Sequence, residues 1–287
     1  MWLFSIIFWA NADSYRPPPT SGTIIAVYDG DTFTLDNGDK IRLRGANTPE
    51  LKPPEAFGTE ARDAVADLLL NQKVYLSYGD VERDGYGRLI ASVRTEDTDV
   101  ATFLLENGLA HAFFIPPEKL DTPKLLQAQE RAQEANKGIW SIRRYQSDLH
   151  MTSFHANAPG DDVRNINGEY IRITNITSQT LNLSQYSIQN IRGETWNFPD
   201  MDLPAGNTVK VHSGRGYHQK NPEKQLEIYL GSMRPIWDNE KDQATIYNAE
   251  HKIQDQRKHE PKTKPKNWSF SGLDLQKLQR LMLHWVT

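Results

Sequence analysis

The stretch from Val27 to Glu50, VYDGDTFTLDNGDKIRLRGANTPE, leaves this chain few folds to choose from. Ile24 to Tyr28, Thr32 to Leu35 and Lys40 to Arg44 are β-branched or alternate apolar with polar residues, and Asp36-Asn37-Gly38 supplies a tight turn between the last two. Short strands joined by such turns predict an antiparallel meander. Asp29, Asp31, Arg42, Asn47, Thr48 and Glu50 gather at the strand ends. Carboxylates flanking Gly30 can cap a turn for local reasons alone. Arg42 and Arg44, however, alternate with Ile41 and Leu43, which puts both guanidinium groups on one face. A planar fork of permanently charged donors suits phosphate oxygens. Carboxylates crowded beside it point to a metal and a phosphate.

Beyond the meander, Gly58 to Leu70 carries Ala61, Val65, Leu68 and Leu69 at helical spacing, with Thr59 available as N-cap. Lys73 to Tyr78 and Leu89 to Val93 alternate as strands around the glycine-punctuated turn Asp84-Gly85-Tyr86-Gly87-Arg88. Val100 to Asn107 and Leu125 to Asn136 read as helices stopped by Gly108 and Gly138 in left-handed caps. From Tyr145 the helical periodicity vanishes, Thr, Asn, Ser and Gln rise, and short strand-like runs recur between turns. Strands are expected at Tyr170 to Thr174, Tyr186 to Gln189, Thr208 to His212, Glu227 to Leu230 and Ala244 to Tyr247, which suggests a sandwich. The expectation is therefore a β-rich, two-domain chain, α+β and then all-β, and a length of 287 residues suits two modest cores. Arg257 to Lys266 reads as a basic, proline-broken linker and Leu273 to Trp285 as an amphipathic helix.

Composition narrows the chemistry. The chain has no cysteine, which excludes disulfides, thiolate zinc sites and cysteine nucleophiles, so any metal must take oxygen or imidazole ligands. Its eight histidines lack zinc-ligand spacing and are expected to be structural or exposed. A net charge of −4 does not announce a nucleic-acid binder, although a local basic groove is compatible with it. Trp2 to Ala10 is apolar but too short to span a bilayer, and Ala10-Asn11-Ala12 has the small-x-small pattern of a leader cleavage site. Residues 1–12 thus read as a signal peptide without the usual basic start, and 13–21 as a proline-rich spacer. A buried N-terminal strand or an uncleaved anchor is the alternative. The mature chain is expected to be secreted or periplasmic, with no stable membrane span.

The motifs DGDT, RLRGANTPE, DGYGR, ENGLAHA and EANKGIW, in that order, resemble the staphylococcal nuclease (thermonuclease) family over about 22–145. The resemblance implies an OB-like five-stranded barrel with three helices and calcium-dependent hydrolysis of phosphodiester bonds in DNA and RNA. It implies Asp31 as a Ca2+ ligand through its carboxylate, Thr48 through its carbonyl, and position 47 as a further ligand. Glu50 would orient or deprotonate the attacking water, and Arg42 and Arg88 would grip the phosphate. Tyr86 would stand beside the substrate or pack in the barrel. The departure is Asn47, where the family has aspartate: an amide oxygen can still ligate calcium but brings no charge. A weakened or silent scaffold that binds nucleic acid or protein is the alternative function. Pro116 falls where the family's best-known member stacks a tyrosine on the substrate, a role Phe113 and Phe114 could partly take.

Gly168-Glu169-Tyr170-Ile171-Arg172-Ile173-Thr174-Asn175, Leu181 to Tyr186, Trp196-Asn197-Phe198-Pro199 and Pro235 to Asn239 resemble the lamin tail domain over about 150–256. That implies an immunoglobulin-like sandwich, a module that binds a protein or a cell-surface ligand. The remaining 257–287 would be basic linker and closing helix, in contact with nucleic acid or simply solvated.

Overall fold

A computed structural model describes residues 17–117 and 120–260. The leader expected over 1–12 and the helix expected at Leu273 to Trp285 lie outside the described residues. The first part runs β1 (Ser21–Asp29), β2 (Thr32–Leu35), β3 (Lys40–Leu43), β4 (Gly45–Asn47), α1 (Gly58–Leu69), β5 (Lys73–Arg83), β6 (Leu89–Arg94), α2 (Val100–Glu106), β7 (His111–Phe113) and α3 (Thr122–Glu134). Strands β1, β2, β3, β6 and β5 close into a barrel in that order. The alternating Phe33, Leu35, Ile41 and Leu43 point inward and pack with Val65 and Leu69 of α1 and with Leu104 of α2. Each such fully buried side chain contributes about 1.5–3 kcal/mol relative to exposure.

The tight β1–β2 turn is dictated by close approach: a Cβ on Gly30 would sit 2.6 Å from Thr48 Cγ2 and 2.9 Å from Ala61 Cβ. Helix α1 is capped two residues earlier than the expected Thr59: Gly58 lies against the Glu50 carbonyl and Phe57, in a left-handed conformation, takes the N-cap position. Helix α3 also starts earlier, at Thr122, where the Asp121 side chain accepts from Lys124 N. The short β4–β7 ribbon was not legible in three-residue strands, yet it sets Asn47 opposite His111.

The second part comprises β8 (Leu149–His155), β9 (Tyr170–Asn175), β10 (Leu181–Asn182), β11 (Tyr186–Gln189), β12 (Thr195–Asn197), β13 (Asp202–Leu203), β14 (Thr208–His212), β15 (Leu226–Tyr229), β16 (Asp242–Asn248) and β17 (Ile253–His259). Two four-stranded sheets, β15-β14-β9-β8 and β12-β11-β16-β17, form the sandwich. Met151, Ile171, Ile173, Val209, Val211, Ile188 and Ile246 fill the space between them. Strand β17 corrects the expected boundary at 256: Arg257, Lys258 and His259 pair with Ala244, Gln243 and Asp242, so any linker starts later. Charged residues suit this position because β17 is an edge strand.

The two parts are joined by a continuous junction. Ala132, Ile139, Trp140, Tyr145 and Ile176 form a third apolar cluster. Phe114 N donates to Gly206 O at 2.8 Å and Thr208 N donates to Phe114 O at 3.0 Å. The buried Gln129 side chain bonds Ala112 N at 2.7 Å and Ile176 O at 3.0 Å. Among the described residues no helix is long and apolar enough to cross a membrane.

Candidate active site

Asp31 is built into the floor of a cleft by its neighbours. Its N–H donates to Asp29 Oδ1 at 3.1 Å, and its Oδ2 accepts from Thr48 N at 2.8 Å and Thr48 Oγ1 at 3.0 Å. Its other oxygen is ion-paired with Arg42. Arg42 also donates to Asn47 Oδ1 at 2.6 Å, tying the β3 arginine to the end of β4. Asn47 in turn lies 3.3 Å, through Nδ2, from His111 Nε2. Because His111 Nδ1 is 2.8 Å from Ala112 O and donates to it, Nε2 is the acceptor and the ring is neutral. Burial first, and His150 second, hold the His111 pKa down to about 3. The amide at position 47 is thus matched to a neutral imidazole.

Arg88 comes from the turn after β5. Its Nε donates to Asp84 Oδ2 at 2.7 Å, Nη1 reaches Thr32 Oγ1 at 3.4 Å, and the guanidinium lies 5.5 Å from the Tyr86 ring centroid. Tyr86 is 77% exposed, so packing in the barrel is excluded and it stands on the cleft rim. Glu50 faces the same space. Burial raises its carboxyl above the ordinary glutamate range against the pull of Arg42, and burial raises Asp29 in the same way. Burial also lowers the Arg42 guanidinium to about 10, with Asp29 opposing.

Asp29, Asp31, Arg42, Asn47, Glu50, Tyr86 and Arg88 therefore line one cleft of about 620 Å³. Thr48 is the exception among the expected site residues: it is 2% exposed, and its carbonyl accepts from Asn47 Nδ2 at 3.3 Å beneath the floor. Arg44 also reaches the cleft, lying under Gly79. Phe113 lines it, with Arg42 5.9 Å from its ring, whereas Phe114 is 1% exposed in the core and does not reach a ligand. The carboxylates of Asp29, Asp31 and Glu50 and the Asn47 amide oxygen line this cleft, although among the described residues no three Asp, Glu or His side chains are grouped as a metal cage. Such hard oxygens fit calcium in kind, with less charge than a set containing aspartate at 47.

Two residues missed in the sequence matter here. Glu55 Oε2 accepts from Glu50 N at 3.0 Å, while Glu55 Oε1 takes Arg144 Nη1 at 2.9 Å. Arg144 also donates through Nε to Asp255 Oδ1 at 2.9 Å. The Glu50 loop is therefore braced by the second domain.

A five-stranded barrel with its acidic and arginine groups at one mouth defines a nuclease-type domain carrying a β-sandwich. Comparison with known proteins agrees. The family described as staphylococcal nuclease homologue matches residues 40–142, and the lamin tail domain matches 143–260. The thermonuclease of Staphylococcus hyicus is 37% identical over 139 residues, 46% of this chain and 78% of that protein. The thermonuclease of Staphylococcus intermedius is 36% identical over 121 residues, covering 40% of this chain and 72% of the relative. A micrococcal nuclease from Shigella flexneri is 28% identical over 130 residues, 42% of this chain and 73% of its own length. The chain belongs to the staphylococcal nuclease family, with a lamin tail domain following the nuclease domain.

Proposed function

We propose that this protein hydrolyses phosphodiester bonds of DNA and RNA in a calcium-dependent reaction, and that it does so outside the cytoplasm. The observation that carries the reading is the convergence of Glu50, Arg42 and Arg88 on the cleft that holds Asp31. Glu50 is the base: its raised carboxyl lies nearer to neutrality, where a base accepts a proton most effectively while remaining ionised. Arg42 and Arg88 supply donors from two sides of the cleft for the charge that develops on the phosphate oxygens. Calcium would be held by the Asp31 carboxylate and the Asn47 amide oxygen, the two expected ligands that line the cleft, and would supply Lewis-acid polarisation of the phosphate. Asp84 and Thr32 orient Arg88, and Tyr86 covers the guanidinium.

One observation favours a second reading, a silent binding scaffold: Arg42 is tied to both Asp31 and Asn47, so its donors are shared with the floor. A zymogram with and without chelator separates the two. A calcium-dependent clearing zone supports the enzyme, and intact nucleic acid in excess calcium supports the scaffold. Export rests on the Ala10-Asn11-Ala12 pattern, and sequencing the mature N-terminus tests it: Asp13 is expected, and an intact Met1 contradicts it.

A further inference from the structure

The wall of the cleft facing the barrel comes from the sandwich. Thr152, Ser153 and His155 of β8 and Tyr170 and Arg172 of β9 line the same space as Asp31 and Glu50. Alternation explains the arrangement: Ile171 and Ile173 point into the sandwich core, so Tyr170 and Arg172 point out. The backbone pairing of Phe114 with Gly206 and Thr208 fixes this sheet against the barrel.

What stands on that outer face is unusual for a sheet. Arg172 lies directly opposite Lys210 in antiparallel register, and like charges so placed are destabilising. Burial and mutual repulsion lower the pKa of Lys210, and burial lowers that of Arg172. The carboxylate acting on both is Glu227, itself engaged by Tyr229 Oη at 2.9 Å and 3.8 Å from His212 Nε2. Arg172 is held in place by Thr208 Oγ1 at 3.2 Å and by Gln225, both neutral. Two preorganised cations left this close are complementary to an anion.

Beside them is an aromatic platform. The Tyr170 and His155 rings are stacked at 4.2 Å between centroids and 22° between planes, and Lys210 Nζ lies 3.9 Å from the Tyr170 centroid. On the opposite rim the exposed Tyr86 is close enough to act electrostatically on Tyr170. Cations interleaved with stacked rings are the means by which proteins hold unpaired nucleotides. Pro116, which cannot stack as an aromatic ring does, lines the same cleft.

We propose that Tyr170, His155, Arg172 and Lys210 form a nucleotide-binding subsite through which the lamin tail domain grips single-stranded DNA or RNA beside the bond to be cut. The proposal rests on the nuclease reading for its position in the reaction. The domain is then part of the substrate cleft as well as an attached module.

The test measures fluorescence anisotropy of labelled dT12 with the full chain in excess EDTA, across a salt series, so that binding is read without cleavage. Arg172→Ala/Lys210→Ala is expected to weaken binding at least tenfold and to flatten the slope of log K against log salt by about 1.4, for two phosphate contacts on a single strand. Tyr170→Ala is expected to weaken it at least fivefold. Lys210→Ala alone, a milder change should Arg172 prove necessary for folding, is expected to lower the slope by about 0.7. Arg164→Ala, an exposed arginine paired with Asp161, serves as the charge-matched control and is expected to stay within twofold of the parent. In calcium the same three site variants should raise KM for dT12 while leaving kcat within twofold. Binding within twofold of the parent with an unchanged salt slope overturns the subsite. A parent that binds dT12 through these residues but cuts nothing in calcium overturns the nuclease reading and leaves the subsite standing.

Discussion

Two clusters of Asp, Glu, Arg and His lie about one loop apart, and their environments act on them in opposite senses. Around Glu55, Arg144 and Asp255, every charge meets its partner: Asp255 accepts from Arg144 Nε at 2.9 Å, Met151 N at 2.7 Å and Gln256 N at 2.7 Å, and His150 Nδ1 is 3.1 Å away. Burial alone would raise the Asp255 carboxyl, but His150 and Arg144 overcome it and hold the pKa at about 2. At the cleft, Glu50 and Asp29 are raised and Arg42 is lowered. In the first cluster Asp255 and Arg144 are stabilised in their charged states and clamp two domains. The second is biased toward exchange of protons and ligands, as expected of a reactive site. Glu55 links them, since one of its oxygens holds Arg144 and the other holds Glu50 N.

Breaking the clamp should have the largest effect on folding. Asp255→Ala leaves Arg144 with Glu55 alone and the Met151 and Gln256 N–H groups without their acceptor, and it is expected to cost about 3–5 kcal/mol in denaturant unfolding, with cleavage falling as the Glu50 loop loosens. Glu50→Gln should do the reverse: kcat drops by about 10²- to 10⁴-fold, while the unfolding midpoint barely moves. A common loss of stability in both variants would erase the distinction between the clusters.

Acidification sharpens the same comparison. With Glu50 as the proposed base its carboxylate would be the active form, so the rate should rise with pH through an inflection above the ordinary glutamate range, read from the pH profile of kcat/KM. Asp255 has a depressed pKa, so its stabilisation is fully present above its ordinary value of 3.8 and is lost as pH falls through about 2. His111 is a base with a depressed pKa, and the unfolded chain therefore binds its proton first. Its contribution to stability should fall by about 1.4 kcal/mol per pH unit as pH drops from 6.5 towards about 3.

The smallest change is the most specific. Asn47→Asp puts a carboxylate against His111 Nε2 in place of an amide donor, so the imidazole should hold its proton more strongly. The His111 slope in the stability–pH curve should flatten, and calcium should bind about tenfold more tightly, since a unit charge at about 4 Å is worth on the order of 4 kcal/mol before desolvation offsets most of it. Calorimetry at two pH values reads both effects. An unchanged slope would mean that residue 47 does not set the state of His111.

How much of this was legible in the sequence follows from the distance between partners. Alternation in β2 and β3, the DGDT turn and the Gly108 stop of α2 are local, and they anticipate the meander, the helices and the crowding around Asp31, whereas barrel closure comes only with the family resemblance and α3 ends at Glu134, before left-handed Asn136 rather than at Gly138. The clamp is not local: Arg144 meets Glu55 and Asp255 across 89 and 111 residues of sequence. The spacing of His111 predicts only a structural or exposed histidine, because nothing nearby in the sequence says that a three-residue strand pairs it with Asn47. Arg257 to His259 looked like solvated charge because an edge strand tolerates the same residues as a linker. Tyr170 and Arg172 were legible as an alternating strand, but not as a wall of the cleft, which depends on how the sandwich docks.

The measurement that bears most directly on the central claim is the initial rate of dT12 cleavage by the purified full chain, in calcium and in excess chelator, for the parent and for Glu50→Gln. Cleavage is expected to stop on chelation and to fall at least about 10²-fold in the variant. A rate indifferent to calcium, or one that Glu50→Gln leaves unchanged, contradicts it.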